Sequence, residues 1–300
     1  MYQTGVLRLL PGAFKRYVWS KRVGDFAVLV AIPLFGFLYG VYELNAFAVS
    51  SGIWLSIISI LLMIHIFSLN DWADYLDDRP HRTPRPLNQF ERGERLSFLI
   101  VALSSALLLF PSLWLMRPAA TVPAGATVLC SALYSCRWRM HGKETMLLSS
   151  LLHFVCGASC FIMGLTVASG SGTEWTGISI FLGLSIAAGH INQEISDHRE
   201  DRVSGIRTYS TVLGPTVAFA IGQVIFAAAF LSLLVGIPSE HASFFAPVVI
   251  LLSLLNVTLA IGCCWKQVDP KSVERYRFNY RVLYLLVGLC LLLRAPLFHQ

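Results

Sequence analysis

Asp71, Asp74 and Asp78 stand at i, i+3 and i+7 in the stretch Asn70-Asp71-Trp72-Ala73-Asp74-Tyr75-Leu76-Asp77-Asp78-Arg79, directly after an apolar run from Ile53 to Leu69. If the helix of that run continues through them, the three carboxylates share one face, turn over turn. Like charges so placed repel one another, so a purely structural helix would not choose them. A divalent cation relieves the repulsion, and hard oxygen donors are what Mg²⁺ prefers. A second copy, Glu194-Ile195-Ser196-Asp197-His198-Arg199-Glu200-Asp201-Arg202, lies 123 residues downstream and also follows an apolar run, Ile178 to Ala188. Aligning Asp71 with Glu194 puts Asp74 on Asp197, Asp78 on Asp201 and Arg79 on Arg202. One such cluster reads equally well as solvated helix-end charge, but a matched pair closed twice by arginine points to a site.

The elements that carry these motifs are membrane helices. The chain is 55% hydrophobic and 13% charged, with mean hydropathy +0.64, against about 25% charged residues in soluble domains. Nine apolar spans, near 24–42, 53–70, 96–115, 119–136, 146–168, 176–193, 215–236, 244–264 and 279–297, each approach the ~20 residues that cross a bilayer. With a cytoplasmic N-terminus, 21 of the 23 Lys and Arg fall on the inner side, leaving only Arg117 and Arg294 outside. The net charge of +6 therefore reads as membrane topology, not nucleic-acid binding. The seven cysteines sit in or beside apolar runs without zinc-site spacing, and read as small buried hydrophobes. No cleavable signal is expected, since the first 22 residues are basic and broken by Pro11.

This topology puts both motifs at cytoplasmic ends, of the second and sixth helices. It predicts an all-α integral membrane protein, one domain over residues 1–300, built of two four-helix units plus a ninth helix around a central apolar cavity. The polar loops 79–95 and 202–214 are expected to cap the cavity mouth.

Six carboxylates (Asp71, Asp74, Asp78, Glu194, Asp197, Asp201) with Asn70 have the donors to hold about two Mg²⁺ ions, which usually bridge onward to substrate phosphates. Around them in sequence lie Arg79, Arg82, Arg85, Arg137, Arg139, Lys143, Arg199 and Arg202. Metal-binding acids ringed by cations, at the mouth of an apolar bundle, describe a site for an amphiphilic diphosphate. Cations there stabilise departing pyrophosphate, and an apolar interior holds an isoprenoid tail and keeps water from a carbocation.

Asn70-Asp71-x-x-Asp74-x-x-x-Asp78-Arg79, continuing to Arg82-Thr83-Pro84-Arg85-Pro86-Leu87, resembles the first signature of the UbiA-type intramembrane prenyltransferases. Asp197-x-x-x-Asp201-Arg202-x-x-Gly205-x-Arg207-Thr208, running on to Leu213-Gly214, resembles the second. The resemblance covers the whole chain and implies nine helices with the motifs after helices two and six. It implies that Asn70, Asp71, Asp74, Asp78, Asp197 and Asp201 hold Mg²⁺ and through it the diphosphate, with Arg79 and Arg202 supporting the phosphates or the carboxylates. It also implies ionisation of an allylic diphosphate and capture of the cation. Three departures stand out: Leu87 is followed by Asn88-Gln89-Phe90 instead of a small-residue turn ending in glycine. Glu194 replaces a frequent Asp, and Trp138 stands where many members carry the lysine of Tyr-x-x-x-Lys after Tyr134.

His65, His153 and His190 fall within the second, fifth and sixth spans. With Tyr134 and Trp138 they are candidates to line the cavity, the alternative for each histidine being an interhelical hydrogen bond. A transferase acting on an aromatic or other lipophilic acceptor and a terpene cyclase, in which the cation is attacked by its own double bonds, share every ionising residue. An aromatic-rich pocket suits either. A transporter or channel is disfavoured, because its ion sites belong near mid-membrane on broken helices.

Overall fold

The computed structural model of the chain describes residues 23–77, 92–136, 142–143, 145–169, 176–236, 239–264 and 267–293. Eleven α-helices and a short 3-10 turn make up the described residues, with no strand among them. They are α1 (Val23–Gly40), α2 (Ala46–Asp77), α3 (Arg92–Met116), α4 (Thr121–Ser135), α5 (Met146–Ser169) and α6 (Thr176–Ser196), then α7 (His198–Ser204), α8 (Tyr209–Leu213), α9 (Pro215–Gly236), α10 (Ser239–Cys264) and α11 (Pro270–Leu292). Segments within α2, α3, α5, α9 and α10 are each long and apolar enough to cross a bilayer by themselves. Their outer faces carry side chains such as Leu107, Leu115, Leu147 and Val235, exposed by 74%, 86%, 79% and 79%. So much exposed leucine and valine suits lipid tails and not water, and the protein is an integral membrane protein.

The second and the last helices extend furthest beyond the spans read in the sequence. The second runs through Asp77 instead of ending at residue 70, so its polar end is helical. The last begins at Pro270, nine residues earlier than expected, because Asp269 accepts from the N–H groups of Lys271 and Ser272 and Pro270 occupies the first helical position. Proline there loses no hydrogen bond. The Ser272 hydroxyl and backbone N–H, both donated to it, hold the Asp269 carboxyl below its usual range. Lys271, Arg275 and Arg277 therefore lie on the first turns of α11 and not in a loop.

Helix packing without a water-driven hydrophobic effect relies on close van der Waals contact, and glycines permit it. A side chain on Gly36 would strike the Phe161 carbonyl, and one on Gly164 the Pro33 carbonyl, so α1 and α5 cross backbone to backbone. Gly177 and Gly236 do the same for α6 and α9, with a Cβ on either within 2.8 Å of the other's Cα.

Pairwise contacts orient the helices. Phe26 of α1 stacks on Phe67 of α2 at 6.0 Å, while Gly52 at the other end of α2 packs on Phe37. The polar end of α2 thus lies beside the start of α1. Gly36 meets Phe161 and Gly40 meets Leu165 and Ala168, so α1 and α5 run in the same direction and their starts lie together. Ser149 of α5 meets His190 of α6 and Gly157 meets Gly183, an antiparallel pair that sets the start of α5 beside the end of α6. The ends of α2 and α6, which carry the two acidic motifs, therefore emerge at one end of the bundle.

Candidate functional site

The first motif is helical through Asp77. Asp71 and Asp74 stand one turn apart on α2, and Asp71 is buried at 6% exposure, with Asn70 half-buried beside it. Asp78 and Arg79, with Arg82 and Arg85, lie outside the described residues.

The second motif bends at Asp197, the N-cap of α7, with φ −92° and ψ 2°. Two backbone bonds nonetheless bridge the junction, Asp197 N–H donating to the Gln193 carbonyl at 3.0 Å and Asp201 N–H to the Asp197 carbonyl at 2.9 Å. Glu194, Asp197 and Asp201 thereby keep helical spacing across the junction. Asp201 is 7% exposed, and Arg202 on the same short helix is exposed. α7 ends at Gly205, whose φ of 70° lies in the left-handed region. Gly205→Ala is expected to cost about 1–2 kcal/mol with no loss of packing, since no neighbour lies within 4 Å of where a Cβ would stand; thermal unfolding in detergent measures it.

Beyond Gly205 the chain turns back onto the bundle. Thr208 caps α8 in a reciprocal pair with Thr211, and Tyr209 N–H donates to Glu194 Oε2 at 2.8 Å. The Ser150 hydroxyl donates to the Tyr209 phenol oxygen at 3.4 Å, and His198 Nδ1 lies 2.7 Å from Ser210 Oγ. Segment 206–213 is thus pinned to α5, α6 and α7. Sequence reading named neither Tyr209 nor Ser149 and Ser150. The available signal was the Thr208-x-x-Thr211 cap, which announces a short helix just after the motif.

Tyr134, His153 and His190 come together as an aromatic cluster. The two imidazoles stack at 3.7 Å and 9°, and the Tyr134 ring stands edge-on to both at 4.8 and 5.6 Å. His153 Nδ1–H donates to the Ser149 carbonyl at 2.8 Å, which leaves the lone pair of the neutral ring on Nε2. His190 Nε2 lies 2.7 Å from Ser149 Oγ and 3.2 Å from Glu194 Oε1. The cluster therefore joins the second motif directly. Lys143 is half-buried, in a turn whose Gly142 packs so tightly on the end of α4 that a Cβ would lie 2.9 Å from Tyr134 Cα. Arg137, Trp138 and Arg139 lie outside the described residues. His65 stands apart, buried between α2 and α3 with Nδ1–H donating to the Ala102 carbonyl at 2.9 Å.

Among the described residues no three His, Cys, Asp or Glu side chains converge as a metal cage. What the motif end offers is a donor set: buried carboxylates on two helix ends, an asparagine amide, and Arg202, Lys143 and Arg277 on elements that meet there. Arg277 of α11 reaches Gln193 Oε1 at 3.3 Å. A shallow apolar groove lined by Phe110, Pro111, Trp114, Leu115 and Thr121 lies at the opposite end, where strongly exposed Leu115 reads as lipid contact.

The sequence profile of the UbiA prenyltransferase family matches residues 29–286. The fold is similar to that of a UbiA homolog from Archaeoglobus fulgidus bound to GPP and Mg²⁺, with TM-score 0.69 and 15% identity over 92% of this chain and 99% of that one. It is also similar to the apo UbiA homolog from Aeropyrum pernix K1, with TM-score 0.62 and 18% identity over 88% of this chain and 97% of that one. A structure of digeranylgeranylglyceryl phosphate synthase gives TM-score 0.62 and 15% identity over 92% and 99% of the two chains. At such identities the likeness is one of fold. No curated protein sequence matches the chain significantly.

Proposed function

The chain belongs to the UbiA prenyltransferase family, and we propose that it ionises an allylic isoprenyl diphosphate and transfers the prenyl group to a lipophilic acceptor, aromatic or other, within the membrane. The observation that carries this reading is the emergence of both acidic motifs at one end of an apolar bundle. We place that end and the N-terminus on the cytoplasmic side, with nine spans through the bilayer, from the distribution of Lys and Arg.

Asn70, Asp71, Asp74, Asp78, Asp197 and Asp201 would hold Mg²⁺. The donor set fits a hard divalent cation, being all oxygen, and Asp71 and Asp201 are 6% and 7% exposed, in a low-dielectric setting where anionic oxygens favour a nearby cation. When bound, Mg²⁺ would screen the negative charge that builds on the departing pyrophosphate. Arg79 and Arg202 would support the phosphates from the motif ends, with Arg137, Arg139 and Lys143 closing the site from the loop between α4 and α5. The prenyl chain would run from that mouth into the apolar interior. There Tyr134, His153 and His190, with Trp138 nearby in sequence, would face the reacting carbon with aromatic surfaces that favour positive charge. Excluding water there would keep the cation for the acceptor.

The test is incubation of the purified protein with Mg²⁺ and geranyl, farnesyl or geranylgeranyl diphosphate, first alone and then with aromatic and lipid acceptors, reading pyrophosphate and organic products. Pyrophosphate and a prenylated product only when an acceptor is present is the expected result. A cyclic hydrocarbon or alcohol formed without acceptor would instead make the protein a cyclase on the same scaffold. No Mg²⁺-dependent pyrophosphate under any condition would reject the reading.

A further inference from the structure

We infer that Glu194 is a positioning residue that clamps the segment after the second motif, and not one of the metal ligands. The inference rests on the reading that the other motif acids hold Mg²⁺. Glu194 aligns with Asp71 in the repeat, yet its surroundings suit a different task. It is 4% exposed, and both carboxylate oxygens are engaged by the protein itself. Oε2 accepts the Tyr209 N–H at 2.8 Å, and Oε1 lies 3.2 Å from His190 Nε2.

Tyr209 is the first residue of α8, and helix starts leave N–H groups without intrahelical partners. Thr208 serves the N–H of Thr211, and Glu194, fifteen residues upstream, serves that of Tyr209. The glutamate is thus a tertiary cap, joining the end of α6 to the start of α8. Its extra methylene relative to aspartate supplies reach toward a segment beyond the motif. Asp197 and Asp201 lie on the chain between those two anchors. One anchor is the pair of backbone bonds that tie Asp197 to α6 and Asp201 to Asp197, and the other is the Glu194–Tyr209 bond, reinforced by His198 with Ser210. With both ends held, Asp201 has a fixed position relative to α6. Freed at Tyr209, it would wander by the length of a flexible turn, and misplacement of about 1 Å can cost about 10²-fold in rate.

The experiment compares Glu194→Gln, Glu194→Ala and Asp197→Asn in the full-length protein. Glutamine keeps the length and an oxygen for the Tyr209 N–H, but removes the charge that a metal needs. Mn²⁺ binding by electron paramagnetic resonance, hydrogen exchange at the amides of 209–213, and turnover are read together. The clamp predicts that Glu194→Gln binds Mn²⁺ and turns over like the parent, whereas Asp197→Asn weakens Mn²⁺ binding by about 10-fold or more. It further predicts that Glu194→Ala accelerates exchange at 209–213 and lowers kcat about 10²-fold, with glutamine restoring both. Weakening of Mn²⁺ binding by Glu194→Gln to the extent seen for Asp197→Asn would overturn the inference and make Glu194 a ligand. Unchanged exchange in Glu194→Ala would overturn it as well. If the parent itself bound no Mn²⁺ and released no pyrophosphate, the proposed function would fail, while the exchange measurement would still decide the clamp.

Discussion

Asp71→Ala and Asp197→Ala are each expected to lower Mg²⁺-dependent pyrophosphate release by about 10³-fold or more, a loss on the scale of removing a principal electrostatic contact to the transition state. Neither change should disturb insertion or folding. Asp71 occupies the polar end of α2, after the apolar run that ends at Leu69, and Asp197 sits at a helix junction whose backbone bonds do not depend on its side chain. Removal of a carboxylate from a helical row of like charges also relieves repulsion. The variants should therefore elute as the parent does in detergent and unfold at the same temperature or higher. Chelation of divalent ions from the parent should reproduce the loss, and Mg²⁺ should restore the parent but not the variants. Retention of turnover by either variant would remove the metal site from the motif end.

Gly164→Val is expected to have the largest effect on folding. The position faces the Pro33 carbonyl of α1 so closely that any side chain requires the two helices to separate. Gly36 makes the reciprocal contact with α5, so the crossing has no slack on either helix. Overpacking a close-packed interior costs typically 1–3 kcal/mol, and here the obstacle is backbone, which cannot swing aside as a side chain can. A loss of about 3 kcal/mol or more should appear as a lower unfolding temperature and a poor yield of monodisperse protein. Because α1 packs on both α2 and α5, splaying it also separates the two motif ends, so surviving protein should show depressed turnover. Val at Gly262 is the control, since nothing lies within 4 Å of its Cβ position.

The histidines illustrate how far composition carries. All three were visible in sequence as ionisable groups inside apolar spans, and that feature could not separate them. His65 spends its Nδ1–H on the Ala102 carbonyl between α2 and α3, whereas His153 and His190 stack on each other and meet Tyr134. The distinction depends on which neighbouring helix each one faces, and partners 37 or 41 residues away in the chain leave no local mark.

The amino-acid sequence by itself determined the class of protein, the helical character of the motif ends and the family. Apolar runs of bilayer length, low charge content and a duplicated acidic pattern are local or statistical properties, legible without a fold. It also named the acids proposed as ligands, because helical spacing sets which positions share a face. Only the tertiary structure decided which groups meet at the motif end: the stacked histidines, the Ser149 bridge and the contact of Glu194 with Tyr209. Glu194 shows why. Its place in the repeat assigns it to the same class as Asp71, but its partners are set by the chain turning at Gly205 and returning onto α6. A carboxylate takes its role from the donors that surround it, and those come from distant parts of the chain.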